Sequence, residues 1–426
     1  MGFDEILCLL EKELVVALGC TEPAAVAYAT AVARQVAGGV PVSITVVAST
    51  NVIKNAMAVG IPGTPFKGMA YAAALGATAG DPERKLAGLT GLSDSGIAEA
   101  GSLVADGKVR IERSDTEKTL YIDAVVVTSQ GTGRAVIEDE HDRVVLVELD
   151  GNVLSSLDSI EESSGTNEPT PSLDIEKVFA FAEEVELSRL GIIREAIRLN
   201  GDISQEGLSG DYGLRIGKMI QENVDLGVLS DDLLNAAMSK AAAGSDARMA
   251  GSPLPVMANS GSGNQGITAT IPVLAIGERL GVPEDKILRA VTLSNLMTIH
   301  IKSRFGRLSA LCGAVVAGTG AACGIAYLMG GGLAAVRSAV QNMIGNVSGI
   351  LCDGAKGDCA LKISTCTAAS VQAALMAVRG MTIPPIEGIV DADPEKSIHN
   401  LARLGVEGSP MLDGIILDVM VNKARA

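Results

Sequence analysis

The stretch KVRIERSDTEKTLYIDAVVVTSQGTGRAVIEDEHDRVVLVEL, Lys108 to Leu149, decides the fold class. Its segments VRIERS (109–114), TLYIDAVVV (119–127), GRAVIEDE (133–140) and RVVLVEL (143–149) alternate or run β-branched, with short polar turns between them. β-Branched residues fit a pleated surface, and alternation with period two buries one face, so this stretch predicts an antiparallel sheet of about four strands. On either side the pattern changes to helix. Residues 155–174, SSLDSIEESSGTNEPTPSLD, are polar and rich in Pro and Ser and read as a linker. From Ile175 onward nearly everything has helical periodicity, interrupted by Gly-rich loops.

Upstream, Phe3 to Leu18 has apolar residues at helical spacing, and Gly19 breaks that helix. Thr21-Glu22-Pro23 then starts a second helix running to about Val36, with Thr as cap and Pro tolerated in the first turn. VSITVVA (42–48) predicts a strand, Ser49-Thr50-Asn51 a polar loop, GIPGTPFKG (60–68) a turn, and Met69 to about Ala79 an Ala-rich helix. The expected organisation is a helical segment with one strand at 1–100, a β-rich part at 101–155, a linker at 156–174 and a helical part at 175–426. That is an α+β protein: a large, mostly helical part with an inserted antiparallel β-rich part.

Composition narrows the function. Of 426 residues 47% are hydrophobic but only 2% aromatic, and 49 are Gly, which predicts helices packed closely through small side chains. A net charge of −16 with no basic run excludes nucleic acid as a partner, since phosphate binding needs clustered Lys and Arg. The N-terminus carries acids where an export signal carries basic residues, so a cytoplasmic protein with reduced thiols is expected. Leu308 to Val336 has no charged residue and is long enough to span a bilayer. Its many Gly and Ala, its polar residues and the Gly330–Gly332 run favour buried helix, so no membrane partner is expected.

The cysteines are Cys8, Cys20, Cys312, Cys323, Cys352, Cys359 and Cys366. Cys8 falls on the apolar face of the first helix and is expected to be packing. Cys352 and Cys359 bracket CDGAKGDC. On an unbroken helix, residues seven apart lie ~10 Å apart along the axis, too far for two thiolates on one cluster. Gly354 and Gly357 favour a turn that brings both sulfurs to one metal centre, and a third thiolate from a distant helix would leave one iron of a cluster open. Zinc is the rival, but the chain has only three His and none adjoins these Cys. Cys20, just before the second helix, sits where a helix dipole lowers a thiol pKa, although a small buried corner residue is an equal reading. Two polar loops stand out: Ser49-Thr50-Asn51 with Lys54 and Asn55, and Asn259 to Gly266 with Ser262, Asn264 and Gln265. The second precedes a helix starting near Ile267 and can cradle a carboxylate. Lys302 and Arg304, after His300, add positive charge or are simply solvated.

Taken together, GCTEPAAVAYA (19–29), NVIKNAMAVGIPGT (51–64), NSGSGNQG (259–266), the Cys312 helix and GNVSGILCDGAKGDCALK (345–362) resemble the L-cysteine desulfidase family, a relative of the iron–sulfur L-serine dehydratases. The motifs span nearly the whole chain. The resemblance implies a [4Fe–4S] cluster on Cys312, Cys352 and Cys359, with Cys312 on a Gly/Ala-rich helix. It implies a catalytic Cys20 and a mostly helical catalytic part with a β-rich insertion. Cys323 and Cys366 stay open as ligands.

The activity so implied is elimination of sulfide from L-cysteine to pyruvate, ammonia and hydrogen sulfide. Ser262, Asn264 and Gln265 would hold the amino-acid substrate, with Asn51, Lys54 and Asn55, and Ser49 beside them, as second choices. Dehydration of L-serine is the alternative within enzymes. A pyridoxal-phosphate lyase using Lys54 or Lys356 lacks a phosphate-binding context. A non-catalytic iron–sulfur sensor is the alternative outside enzymes, and a homo-oligomer, a dimer through apolar helical faces, is expected.

Overall fold

The structure, a computed structural model, describes residues 2–157, 173–305 and 309–423. The expected linker lies, apart from its ends, outside the described residues. The chain opens with α1 (Phe3–Glu13), β1 (Leu14–Ala17), α2 (Thr21–Ala37), β2 (Pro41–Ala48), α3 (Thr50–Ala56), α4 (Met69–Ala79) and α5 (Asp94–Ala105). The strands β3 (Val109–Arg113), β4 (Tyr121–Thr128), β5 (Thr132–Glu138), β6 (Val144–Leu149) and β7 (Asn152–Ser156) follow. Helices α6 (Ile175–Glu184), α7 (Gly191–Ser209), α8 (Ile216–Asp225) and α9 (Leu233–Met249) lead to β8 (Val256–Asn259). The last third is α10 (Gly263–Leu280), α11 (Glu284–Lys302), α12 (Gly313–Leu328), α13 (Leu333–Val347), α14 (Cys359–Ala377), α15 (Pro394–Glu407) and α16 (Ser409–Lys423). The fold is α+β, as the sequence predicts.

The sheet is larger than expected and partly parallel. Its order is β3-β2-β4-β5-β6-β7, with β2 parallel to β3 and the other neighbours antiparallel. So β2, from the N-terminal hundred residues, sits inside the sheet, and α2, α4 and the sheet share one apolar core. Its β4 strand buries every second residue along its whole length, Ile122, Ala124, Val126 and Thr128. The helical part has its own core, built from α1, α6, α7, α9 to α15 and β8.

Three local expectations change. Phe3 to Leu18 is not one helix: Leu14–Ala17 is a strand paired antiparallel with β8, because Leu-Val-Val has a free edge to join. Cys8 is exposed, since α1 buries Ile6, Leu7 and Leu10 instead. Ser49-Thr50-Asn51 is not a loop, for Ser49 caps α3 and Asn51, Lys54 and Asn55 ride on that helix.

Close packing through small residues is seen where α12 crosses α11: a methyl group added at Gly320 would lie 2.2 Å from Thr298 Oγ1 and 2.4 Å from the Ser294 carbonyl. The uncharged stretch up to Val336 is two helices rather than one span, broken at Gly330. Among the described residues one helix, α14, is long and apolar enough to cross a membrane, and it packs against α9, α12 and α13.

The chain passes from the helical core to the sheet core at Cys20, and α16 reaches back across. Asp413 of α16 pairs with the buried Lys54, and Leu417 enters the sheet core. The cavity described below lies at this junction.

Candidate active site

A cavity of about 140 Å³ collects residues from both halves. The sheet half supplies Cys20, Thr21 and Glu22 at the start of α2, Asn55 of α3, and His141 from the turn between β5 and β6. The helical half supplies Arg248 of α9, Ser262 at the N-cap of α10 with Asn264 and Gln265 of its first turn, and Lys302 at the end of α11. Cys312, Cys352 and Cys359 complete the wall, so Cys20 and the three predicted ligands face one space.

Backbone geometry explains how two distant segments present their thiols together. Leu311 and Leu351 form an antiparallel bridge, with Cys312 N–H donating to the Ile350 carbonyl (3.0 Å) and Cys352 N–H to the Ala310 carbonyl (2.8 Å). Cys312 and Cys352 flank that bridge on opposite strands, which puts their side chains on the same face. Cys312 is the N-cap of α12 rather than a residue within it, and Cys359 is the first residue of α14. The connecting turn is a real turn, as its glycines predict. Gly354 has φ +96°, and a Cβ there would sit 2.2 Å from the Lys54 carbonyl. Asp353 ties the turn down by pairing with Lys356 (2.6 Å) and Lys362. Burial raises the Asp353 carboxyl, but the two lysines outweigh it and bring it to about 2.

Cys323 and Cys366 lie within α12 and α14, fully buried, and line none of the cavity. Cys366 follows Cys359 by two turns of continuous helix, the spacing that separates thiols along an axis. Among the described residues no three His, Cys, Asp or Glu side chains are placed to share one metal ion. Each iron of a cluster takes its own thiolate, so a cluster does not need three donors on one ion. The donor set fits a cluster: three thiols on one wall, with the Lys302 ammonium beside Cys312 and Cys352. Burial pushes the Cys312 and Cys359 thiols up, so they carry no charge until a cation takes the place of the protons. Lys302 itself is drawn down to about 8 by burial, against the pull of those two sulfurs.

The Cys20 wall differs. Cys20 is the N-cap of α2, with Thr21 as the first helical residue rather than the cap. Despite that position, burial pushes its thiol up to about 12. Arg248 pulls it down, while Glu22 and Cys359 push it further up. Desolvation therefore outweighs the pull of Arg248, opposite to the expectation of a lowered pKa. Glu22 accepts from Asn55 Nδ2 (2.9 Å), and Arg248 Nη2 donates to the Gly19 carbonyl (2.8 Å). Ser262 caps α10, which starts at Gly263 rather than near Ile267, so Asn264 and Gln265 fall in its first turn.

Of the second-choice residues only Asn55 reaches the cavity. Lys54 turns the other way into its pair with Asp413, Asn51 lines none of the cavity, and Ser49 bridges to Thr119 and Tyr121 of the sheet. Arg304 points to Glu395. Sequence reasoning missed Arg248, Glu22 and His141. Arg248 had a signal: it is the arginine of AAAGSDARMAG (241–251), a run otherwise of small and apolar residues apart from Asp246, and a charge in such a run is rarely buried without a task.

Fold and cavity together define an α+β protein with a thiol-lined pocket sized for a small molecule. Residues 96–418 match the model of the serine dehydratase alpha chain family. The chain is 47% identical over 416 residues to a UPF0597 protein of Oleidesulfovibrio alaskensis, covering 97% of each chain. It is 40% identical over 421 residues to a UPF0597 protein of Actinobacillus pleuropneumoniae serotype 3, covering 99% of this chain and 98% of that one. A UPF0597 protein of Bacteroides fragilis is 40% identical over 422 residues, with 98% of each covered. The chain belongs to the serine dehydratase alpha chain family and is a serine dehydratase-like lyase by that membership.

Proposed function

We propose that this protein is an iron–sulfur lyase that eliminates sulfide from L-cysteine, giving pyruvate, ammonia and hydrogen sulfide. The observation that carries the reading is one cavity lined together by Cys20, Cys312, Cys352 and Cys359. Those three thiols would hold a [4Fe–4S] cluster, which when bound supplies a Lewis acid for the departing group.

The protein's own part is acid–base chemistry and positioning. Cys20 takes the Cα proton, and the Cβ–S bond breaks as its electron pair leaves with sulfur. The 2-aminoacrylate so formed tautomerises to the imine, which water hydrolyses to pyruvate and ammonium. Since burial holds Cys20 protonated, Arg248 is the neighbour that favours the working thiolate. Lys302 offsets negative charge on the cysteine wall.

Dehydration of L-serine is the second reading, favoured by the family match, and the same geometry serves it with hydroxide as leaving group. The test is anaerobic: reconstitute the protein, measure iron and sulfide content, then assay pyruvate from cysteine and from serine side by side. Cysteine is expected to turn over faster, with sulfide released one for one with pyruvate. Faster serine turnover would move the assignment to the dehydratase, and a cluster without either activity would sink the lyase reading.

A further inference from the structure

Some polar atoms around the cavity have no protein partner among the described residues. They are Arg248 Nε and the side-chain oxygens of Asn55, Asn264 and Gln265, all shielded from water. An orphaned buried polar group costs about 1–3 kcal/mol, so a cavity lined with several is suited to a ligand that pairs them.

Their chemical sense is fixed by the other end of each side chain. Asn55 Nδ2 donates to a Glu22 carboxylate oxygen at 2.9 Å, and Gln265 Nε2 donates to the Asn259 carbonyl at 3.0 Å. Both partners only accept, so the amides cannot be flipped and their free ends are oxygens. Asn264 points its nitrogen at the Met249 sulfur, which leaves its oxygen free as well. Arg248 is 6% exposed, donates to the Gly19 carbonyl and has no carboxylate partner among the described residues. One side of the site therefore offers a guanidinium and the other a set of carbonyl-type acceptors.

We infer that Arg248 anchors the substrate carboxylate while Asn55 and Gln265, with Asn264, accept from its ammonium group, so the site takes an α-amino acid as the zwitterion. This rests on the reading of the substrate as an amino acid and goes beyond it by assigning each charged group to named residues. A guanidinium matches a carboxylate with a rigid pair of donors, and amide oxygens match an ammonium. Arg248 also lies beside Cys20. A carboxylate held there brings the attached Cα, and the proton to be removed, toward that thiol.

The experiment is calorimetric binding to the reconstituted full-length protein, with three probes that have no leaving group. L-Alanine carries both charges, propionate the carboxylate only, and ethylamine the ammonium only. Wild type should bind alanine at least about tenfold more tightly than either fragment, as expected when two charged hydrogen-bonded contacts add. Arg248→Leu should weaken alanine and propionate by about ten- to hundredfold and leave ethylamine unchanged. Gln265→Met should weaken alanine and ethylamine but not propionate. If Arg248→Leu does not fold, Arg248→Lys keeps the charge but loses the fork, and propionate should still weaken while ethylamine does not.

Unchanged propionate affinity in a folded Arg248 variant, or wild type that fails to bind alanine, overturns the inference. Pyruvate formation beside such a result leaves the lyase reading intact. The expected binding pattern without any pyruvate overturns the lyase reading alone.

Discussion

The two walls of the cavity bury thiols in different company. On the cysteine wall, Cys312, Cys352 and Cys359 come from loop ends and helix starts, are only partly buried, and have the Lys302 ammonium beside them. On the other wall Cys20 is buried against Val59 and Met249, with the opposite charges of Arg248 and Glu22 both acting on it. The first arrangement gathers several soft donors around one centre, which suits a metal cluster. The second sets one thiol among charges of both signs, with Cys359 the cluster-wall thiol nearest to it, which suits a proton carrier. Position on a helix does not separate them, because Cys20 and Cys312 are both N-caps.

The largest expected effect breaks the cysteine wall. Cys352→Ala should lose both the brown cluster absorbance and activity, while Cys323→Ala, outside the cavity, should keep the absorbance. Retained activity in the Cys352 variant would remove the contrast between the walls. Cys20→Ala comes next: iron content should stay at the wild-type level while turnover falls by about 10²–10⁴-fold. In wild type, kcat/KM should rise with pH through the neutral and alkaline range, because a raised thiol pKa leaves the thiolate scarce below it. A flat profile would argue against Cys20 as the base.

Third is the buried ion pair that ties α3 to α16. Lys54→Met leaves Asp413 charged and buried and should destabilise the protein by about 3–5 kcal/mol, read as a fall in the denaturant midpoint. Asp413→Asn should destabilise in the same direction, and the double variant should recover part of the loss.

The smallest effect lies away from both walls. Glu395 holds His300 and the start of α6, and His300 keeps its carboxyl below the ordinary value despite the opposing effect of burial. A lowered carboxyl stabilises the fold above the unfolded pKa, and that stability is lost as pH falls through the folded value. Acid denaturation of Glu395→Gln should therefore be less steep below the ordinary glutamate pKa, while the cavity's ligand binding stays as in wild type.

Much of this was legible in the residues. The β-branched run from Lys108 to Leu149 announced strands, and the glycines of CDGAKGDC announced the turn that joins Cys352 to Cys359. Less legible was everything that depends on what a residue meets. Leu14-Val15-Val16 continues a helical pattern on paper, and only the neighbouring β8 edge makes it a strand. Lys54 and Asn55 are adjacent, yet a step of about 100° around α3 sends one to Asp413 and the other to the cavity.

The sequence by itself determined the α+β class and the cysteine-bearing turn, because propensity, alternation and glycine placement act over a few residues. The tertiary structure alone decided which cysteines share a space, that Arg248 and Glu22 lie near Cys20, and that burial outweighs the pull of Arg248 at that thiol. Those outcomes depend on desolvation and on distances between segments hundreds of residues apart, which local spacing does not encode.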